Sequence, residues 1–202
     1  ISDRDFTKYE KEKKLKLKNI YSLIPAELAD KNKRYIFKDI DPNIKFDRYE
    51  NSFNWLIDAG VSIPVYNVTE PRLPLEINKK SNLFKLFLSD VGLLTSLYGK
   101  STQMAIMNQD SSLNCGAIYE NVVAQEFNAH GYNGYFFNSH KQGELDFVIE
   151  YKNHIVPVEV KSGKDYKKHC ALDNVIENKD YGIQEAFVLS NANISVKDKI
   201  VY

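Results

Sequence analysis

Apolar and charged positions alternate along one short stretch in the second half of the chain. In residues 155–160 the valines at every second position share one face of a predicted strand, and Glu159 and Lys161 share the opposite face. The apolar run 147–149 precedes it, with Asp146 at its start, and the short polar segment between the runs predicts a β-hairpin. Charged side chains on one face of such a strand are also typical of a solvated surface. Periodicity alone therefore leaves two interpretations open, a functional site and a solvated face.

The first half of the chain has mainly helical periodicity. Asp47 is predicted to cap a helix, with Glu50 three residues later as in a capping box. Helices followed by a two-strand excursion predict a mainly helical, winged-helix-like module. The predicted elements are helices over 19–30 and 47–59, strands over 61–68 and 83–88, and a helix over 90–98.

A polar segment without clear periodicity, residues 98–113, separates the two halves. We place a domain boundary there, which predicts domains over 1–110 and 111–202. The second half has the order helix, three strands, helix, strand, which predicts an α/β (α+β) domain on a mixed central sheet. Its predicted elements are a helix over 114–130, strands over 135–137, 147–149 and 155–160, a helix within 163–181, a strand over 186–189 and an edge strand over 200–202.

The composition is that of an ordinary soluble protein. The chain has 202 residues, of which 43% are hydrophobic and 27% charged, and no apolar run approaches the roughly 20 residues that span a bilayer. Because the first residue is Ile1 and not Met, we expect a trimmed fragment or processed chain. Cys115 and Cys170 match no metal spacing and predict free thiols in a reducing cytoplasm, and the histidines also lack the spacing of zinc ligands.

Charge is unevenly distributed, although the formal net charge is zero. A net charge of zero argues against a surface coated in phosphate-binding residues. Residues 1–38 nevertheless contain eleven Lys and Arg against six Asp and Glu, with the densest run over Lys8–Lys18. This run has two interpretations, a solvated helix or a contact with a nucleic-acid backbone or an acidic partner.

Four residues around the predicted hairpin have the chemistry of phosphodiester hydrolysis. Asp146 and Glu159 can converge across the hairpin to hold Mg²⁺, or Mn²⁺ in its place. Lys161 can stabilise the transition state or orient water, and Glu120 on the preceding helix can supply a further metal ligand. Three nearby charged residues are placed outside this set: Glu144, Glu150 and Lys164.

The pattern D-x(n)-E-x-K across a hairpin, preceded by a helix that contains a glutamate, resembles the PD-(D/E)XK, or restriction-endonuclease-like, superfamily. Three longer stretches resemble landmarks of one prokaryotic family of AAA-type ATPases whose C-terminal region is a nuclease-like domain of unassigned function. The resemblance covers nearly the whole chain. These stretches are WLIDAGVSIPVYNVTEPRLPLEINKKSNLFKLFLSDVGLL, GAIYENVVAQEF and GELDFVIEYKNHIVPVEVKSGK.

The resemblance implies that the chain is the C-terminal part of a longer ATPase, with the nucleotide-binding domain N-terminal to it. Its partners would be that ATPase domain and nucleic acid, DNA more than RNA. The positions that match the superfamily are Glu120, Asp146, Glu159 and Lys161. Relatives often have an arginine just before the ELDF strand, where this chain has Phe137-Asn138-Ser139, so the resemblance does not extend to a phosphate contact at this position.

No ATP site is predicted within the chain itself. The segment GKST at 99–102 ends like a phosphate-binding loop, but Leu94 stands where that motif needs a glycine, and the preceding residues predict a helix. The leading hypothesis is therefore a Mg²⁺-dependent nuclease-like domain. A catalytically inactive DNA-binding module, or a protein-interaction module that regulates the ATPase, stays open as an alternative.

Overall fold

The structure, a computed structural model, describes residues 11–30, 49–110 and 112–202. Within these ranges it contains six α-helices and eight strands. The helices are α1 (Lys11–Ala29), α2 (Glu50–Asp58), α3 (Val91–Ser96), α4 (Lys100–Met107), α5 (Gly116–Ala129) and α6 (Cys170–Glu177). The strands are β1 (Ser62–Val68), β2 (Lys79–Leu88), β3 (Tyr135–Ser139), β4 (Gly143–Tyr151), β5 (His154–Val160), β6 (Ala186–Leu189), β7 (Val196–Lys197) and β8 (Ile200–Val201).

All eight strands form one mixed sheet in the order β2-β1-β3-β4-β5-β6-β8-β7. The pairs β1–β3, β5–β6 and β6–β8 are parallel, and the remaining neighbours are antiparallel. The predicted α/β class with a mixed central sheet is therefore confirmed. The predicted hairpin of β4 and β5 lies in the middle of this sheet.

The β1–β2 hairpin of the first half is part of the same sheet. Residues 66–68 of β1 pair in parallel with residues 135–137 of β3, so the sheet continues across the predicted boundary between 1–110 and 111–202. The hairpin is therefore not a wing on a separate winged-helix-like module, which the sequence pattern had predicted. Pairing between strands so far apart in sequence leaves no local signal. The boundary itself stays a prediction.

Both faces of the sheet are covered by apolar packing. One core joins helices from the two halves, because Leu17 of α1, Phe53 of α2 and Val123 of α5 belong to the same buried cluster as Phe147 of β4. The other core lies under α6, where Leu172 packs with residues of β4 and β6. Helices on both faces explain why the central strands are apolar on both sides.

Side-chain hydrogen bonds connect helix α5 to the end of β2 and to the start of α3. The side chain of Asn121, which is completely buried, accepts a hydrogen bond from the Leu88 N–H at 2.8 Å and donates one to the Leu88 carbonyl at 2.9 Å. The Gln125 side chain accepts a hydrogen bond from the Val91 N–H at 2.9 Å. These contacts position α5, which contains Glu120, against strands of the first half.

Several predicted element boundaries differ from the structure. Strand β2 begins at Lys79, earlier than the predicted 83, and the segment predicted to be irregular contains helix α4. No residue of α4 is buried, and the polar first half of its sequence gives no clear helical periodicity. Strand β8 is not the sheet edge, because β7 pairs outside it.

Two predictions concern residues that the structure describes only in part. The predicted helix cap Asp47 lies outside the described residues, and α2 begins at Glu50. Of the basic run Lys8–Lys18, the part from residue 11 onward belongs to α1. Leu17 and Ile20 of this helix are buried in the core, so the lysines share a helix that is packed on one side.

Candidate functional site

Asp146 and Glu159 meet where β4 and β5 pair. The antiparallel register aligns Phe147 with Val158, so one further pair places Asp146 opposite Glu159. On its other side β4 has a register irregularity against β3, between the partners Leu145 and Val148. The predicted convergence of the two carboxylates across the hairpin therefore has a structural basis in strand register.

The backbone of β5 fixes the Asp146 carboxylate. The Val160 N–H donates a hydrogen bond to Asp146 Oδ2 at 2.9 Å, and Asp146 is only 9% exposed. This hydrogen bond from the backbone holds the Asp146 side chain at the end of the β4–β5 pair. Asp146 is thus held as an oriented buried carboxylate beside Glu159.

Glu159 is a buried carboxylate that titrates near neutrality. Burial and, second, the negative charge of Asp146 raise the pKa of Glu159 from 4.5 to about 7, although Lys161 and a hydrogen bond from the Asp146 backbone act in the opposite direction. Lys161 Nζ donates a hydrogen bond to Glu159 Oε1 at 2.7 Å. The second oxygen, Oε2, is buried and has no hydrogen-bond partner within the described ranges. An incompletely satisfied buried carboxylate of this kind is typical of a functional position.

Glu120 belongs to a second charged cluster, which the sequence analysis missed. Lys85 Nζ on β2 lies 2.9 Å from Glu144 Oε1 and 4.0 Å from Glu120 Oε2. Both Lys85 and Glu120 are almost completely buried, and the Lys85 ammonium also lies 4.9 Å from the Phe136 ring centroid. Asn138 donates a hydrogen bond to Glu144 Oε2. We name Lys85, Glu120 and Glu144 the lysine-centred cluster.

A sequence signal for the lysine-centred cluster exists. Lys85 stands alone in the apolar run Leu83–Leu88, and a charge in such a run needs a buried partner. The partners lie in α5 and β4, so they could not be identified locally. Glu144, placed outside the site from the sequence, is one of them, and Glu150 accepts a hydrogen bond from the Leu75 N–H at 2.5 Å.

We name Asp146, Glu159 and Lys161 the hairpin cluster. The described residues contain no group of three or more His, Cys, Asp or Glu that is arranged to hold a metal ion. The predicted ligand set of Asp146, Glu159 and Glu120 is therefore not assembled around one point in this structure. The donors available in the hairpin cluster are two carboxylates.

A cleft opens where β5 and β6 end. It has a volume of about 1180 Å³ and lies between helices α4 and α5 and the loops that follow these two strands. Ser162, Gly163 and Lys164 line it, immediately after Lys161 in the chain. Clefts at the carboxyl ends of parallel strands are common ligand sites in α/β proteins. Lys164, placed outside the site from the sequence, therefore lies in a cavity wall next to it.

Fold and site together define an α/β protein with a buried acidic pair and an adjoining lysine in its central sheet. The chain belongs to the family of a domain of unknown function, DUF8612, whose model matches residues 1–104, about half of the chain. A second domain of unknown function, DUF4143, which occurs in AAA-ATPase-associated proteins, matches residues 115–201. The chain has no match among curated proteins or solved structures. In the parts of the chain that the structure describes, no helix has the length and apolarity to cross a membrane.

Proposed function

We propose that the hairpin cluster is the active site of a Mg²⁺-dependent phosphodiesterase that acts on nucleic acid, with Mn²⁺ as a substitute metal. The observation that carries this proposal is the state of Glu159. Its carboxylate is buried, lies beside a second carboxylate, titrates near neutrality, and has one oxygen without a hydrogen-bond partner among the described residues. A cation at this oxygen would compensate the charge that burial and Asp146 make costly.

The donor set fits a hard divalent cation. Mg²⁺ is commonly bound through one or two carboxylates, with the remaining positions filled by water and substrate phosphate. Asp146 and Glu159 supply two carboxylates, so a third protein ligand is not needed. When bound, Mg²⁺ supplies charge neutralisation at the phosphate and lowers the pKa of water.

Each residue of the hairpin cluster has a definable task. Asp146, held by the Val160 N–H, presents a fixed negative charge. Glu159, whose pKa is raised to about 7 in the metal-free site, would give up its proton when it ligates the metal. Lys161 keeps its ammonium beside Glu159 and is 28% exposed, so it can donate hydrogen bonds to a phosphate oxygen or to the attacking water. Water would attack phosphorus and give a proton to bulk solvent, the bond to the leaving oxygen would break, and that oxygen would take up a proton from solvent.

We propose a supporting role for Glu120, as the resemblance implies. Its contact with Lys85 at 4.0 Å ties it to the first half of the chain, so it would act on the metal only together with a rearrangement of that cluster. Substitution of Glu120 is accordingly expected to reduce activity less than substitution of Asp146.

The partners follow from the same resemblance. We propose that this chain is the C-terminal region of an AAA-type ATPase in the cytoplasm, and that the nucleotide-binding domain of that protein precedes it. The occurrence of the DUF4143 domain in AAA-ATPase-associated proteins supports the association. DNA is the expected substrate more than RNA.

The test is cleavage of single-stranded DNA, duplex DNA and RNA with Mg²⁺ or Mn²⁺. Asp146→Asn should abolish cleavage and leave nucleic-acid affinity equal or higher, since a negative charge facing the phosphate is removed. Asp180→Asn is the matched control, because Asp180 is exposed and lies in a short helical turn away from the hairpin cluster. If neither this chain nor the longer ATPase with ATP cleaves any of the three substrates, the proposal is wrong.

One observation favours an alternative function. Glu120, which the resemblance implies as a metal ligand, lies 4.0 Å from the ammonium of the buried Lys85. This is the arrangement expected of a nuclease-like domain that has become a catalytically inactive DNA-binding or protein-interaction module regulating the ATPase. Such a module would bind without cleaving, or would change ATP turnover of the longer chain when Asp146 is substituted.

A further inference from the structure

The cleft beside Lys161 has a lining that differs from a duplex-binding surface. Ile106 of α4 and Ile118 and Val122 of α5 contribute apolar groups, and Tyr119 and Tyr166 contribute two half-buried aromatic side chains. Its volume of about 1180 Å³ exceeds the roughly 300–1,000 Å³ of pockets that hold one small ligand. The cleft therefore has room for more than one planar group.

The loop that forms one wall is basic and exposed. From residue 161 to 168 it reads KSGKDYKK, with four lysines against a single aspartate. Lys164, Lys167 and Lys168 are exposed, and the Lys167 ammonium lies 5.7 Å from the Tyr166 ring centroid. Lysines interleaved with an aromatic residue are the pattern of a surface that tracks a nucleic-acid backbone and stacks its bases.

We infer that this cleft binds a single-stranded segment of nucleic acid, with bases against Tyr119 and Tyr166 and phosphates against the lysines of residues 161–168. In a duplex the base faces are stacked on each other, so only an unpaired strand can offer them to aromatic and apolar side chains. Because the loop begins at Lys161, a nucleic-acid strand bound in the cleft extends toward the hairpin cluster. That the bound strand is then cleaved rests on the proposed function. Binding of the strand in the cleft does not depend on it.

The experiment measures binding without cleavage. Fluorescence anisotropy in EDTA compares a labelled oligothymidylate of about 16 nucleotides, the upper range of single-strand sites, with a duplex of equal length. The single strand should bind at least about ten-fold tighter. Tyr166→Leu should weaken single-strand binding by about ten-fold, the range for loss of one stacked base.

Charge is tested separately. Lys164→Gln should weaken single-strand binding and reduce the salt slope by about 0.7, the value for one phosphate contact on a single strand. Lys179→Gln, which removes an exposed lysine after α6, is the matched control and should leave both quantities unchanged. Thermal unfolding of each variant verifies that the fold is retained.

The outcomes separate this inference from the proposed function. Duplex binding as tight as single-strand binding, no binding of either probe, or an unchanged affinity in Tyr166→Leu and Lys164→Gln would each overturn the single-strand cleft. Tight single-strand binding without cleavage under either metal, by this chain and by the longer ATPase with ATP, keeps the cleft and overturns the phosphodiesterase. Cleavage of duplex DNA at the wild-type rate by both Tyr166→Leu and Lys164→Gln keeps the phosphodiesterase and overturns the single-strand cleft.

Discussion

The lysine-centred cluster and the hairpin cluster have the same formal composition, two carboxylates and one lysine, in opposite arrangements. In the first, Lys85 is completely buried and lies near both Glu120 and Glu144. In the second, Lys161 is 28% exposed and forms an ion pair with Glu159 at 2.7 Å. A buried cation between two carboxylates stabilises both, whereas a cation at the rim leaves a carboxylate pair in mutual repulsion. We interpret the first cluster as structural and the second as functional.

The two clusters also differ in which part of the chain supplies their residues. Lys85 comes from β2 in the part that matches DUF8612, and Glu120 and Glu144 come from the part that matches DUF4143. The lysine-centred cluster therefore joins the two parts, together with the Asn121 contacts to Leu88. The hairpin cluster lies wholly within the second part.

Removal of the buried cation should have the largest effect. Lys85→Met keeps the apolar stem but leaves Glu120 and Glu144 without their ammonium. We expect the free energy of unfolding to fall by about 3–5 kcal/mol, as for other broken buried ion pairs. Urea denaturation measures this loss. Lys80→Met, at an exposed position of the same strand, is the control and should change stability by less than about 0.5 kcal/mol. Equal stability of the two variants would contradict the structural interpretation.

Removal of the rim cation should affect activity instead of stability. Lys161→Ala is expected to slow cleavage by about 10²–10³, the range for one preorganised electrostatic contact, and to leave metal binding largely intact. Lys197→Ala, an exposed lysine on the edge strand β7, should cleave at the wild-type rate. If Lys161→Ala lowers the free energy of unfolding as much as Lys85→Met does, both lysines have a structural role and the distinction between the clusters is wrong.

Neutralisation of Glu159 should change stability in the direction opposite to that of Lys85→Met. Because the folded pKa is raised, this group stabilises the fold fully below the unfolded value of 4.5 and loses that contribution as pH rises through about 7. The loss is on the order of 3 kcal/mol, from a pKa difference of about 2.5. Glu159→Gln should remove this pH dependence and be more stable than wild type near pH 8, while it cleaves no substrate.

The matched control for this stability measurement is Glu177→Gln, at an exposed position at the end of α6. It should follow the wild-type curve of stability against pH. A Glu159→Gln variant that is less stable than wild type at every pH would show that Glu159 is part of a satisfied structural network, as Glu144 is.

Local pattern predicted the hairpin but not its surroundings. The alternation of β5 and the apolar run of β4 are properties of consecutive residues, so Asp146, Glu159 and Lys161 could be grouped from the sequence. The parallel pairing of β1 with β3 joins residues 66–68 to 135–137, and its register depends on packing of the whole chain. For the same reason Lys85 could not be matched with Glu120 and Glu144. Helix α4 was not predicted because residues 100–107 show no clear helical periodicity, and no residue of this helix is buried in the structure.

The central claim, that the hairpin cluster is a cation site, is tested most directly by calorimetric titration with Mn²⁺ near pH 6 in two buffers of different ionisation enthalpy. Because Glu159 titrates at about 7, metal binding should release about one proton there and almost none near pH 9. Asp146→Asn should bind Mn²⁺ at least about ten-fold more weakly. Absence of saturable binding, or proton release that persists in Glu159→Gln, would contradict the account.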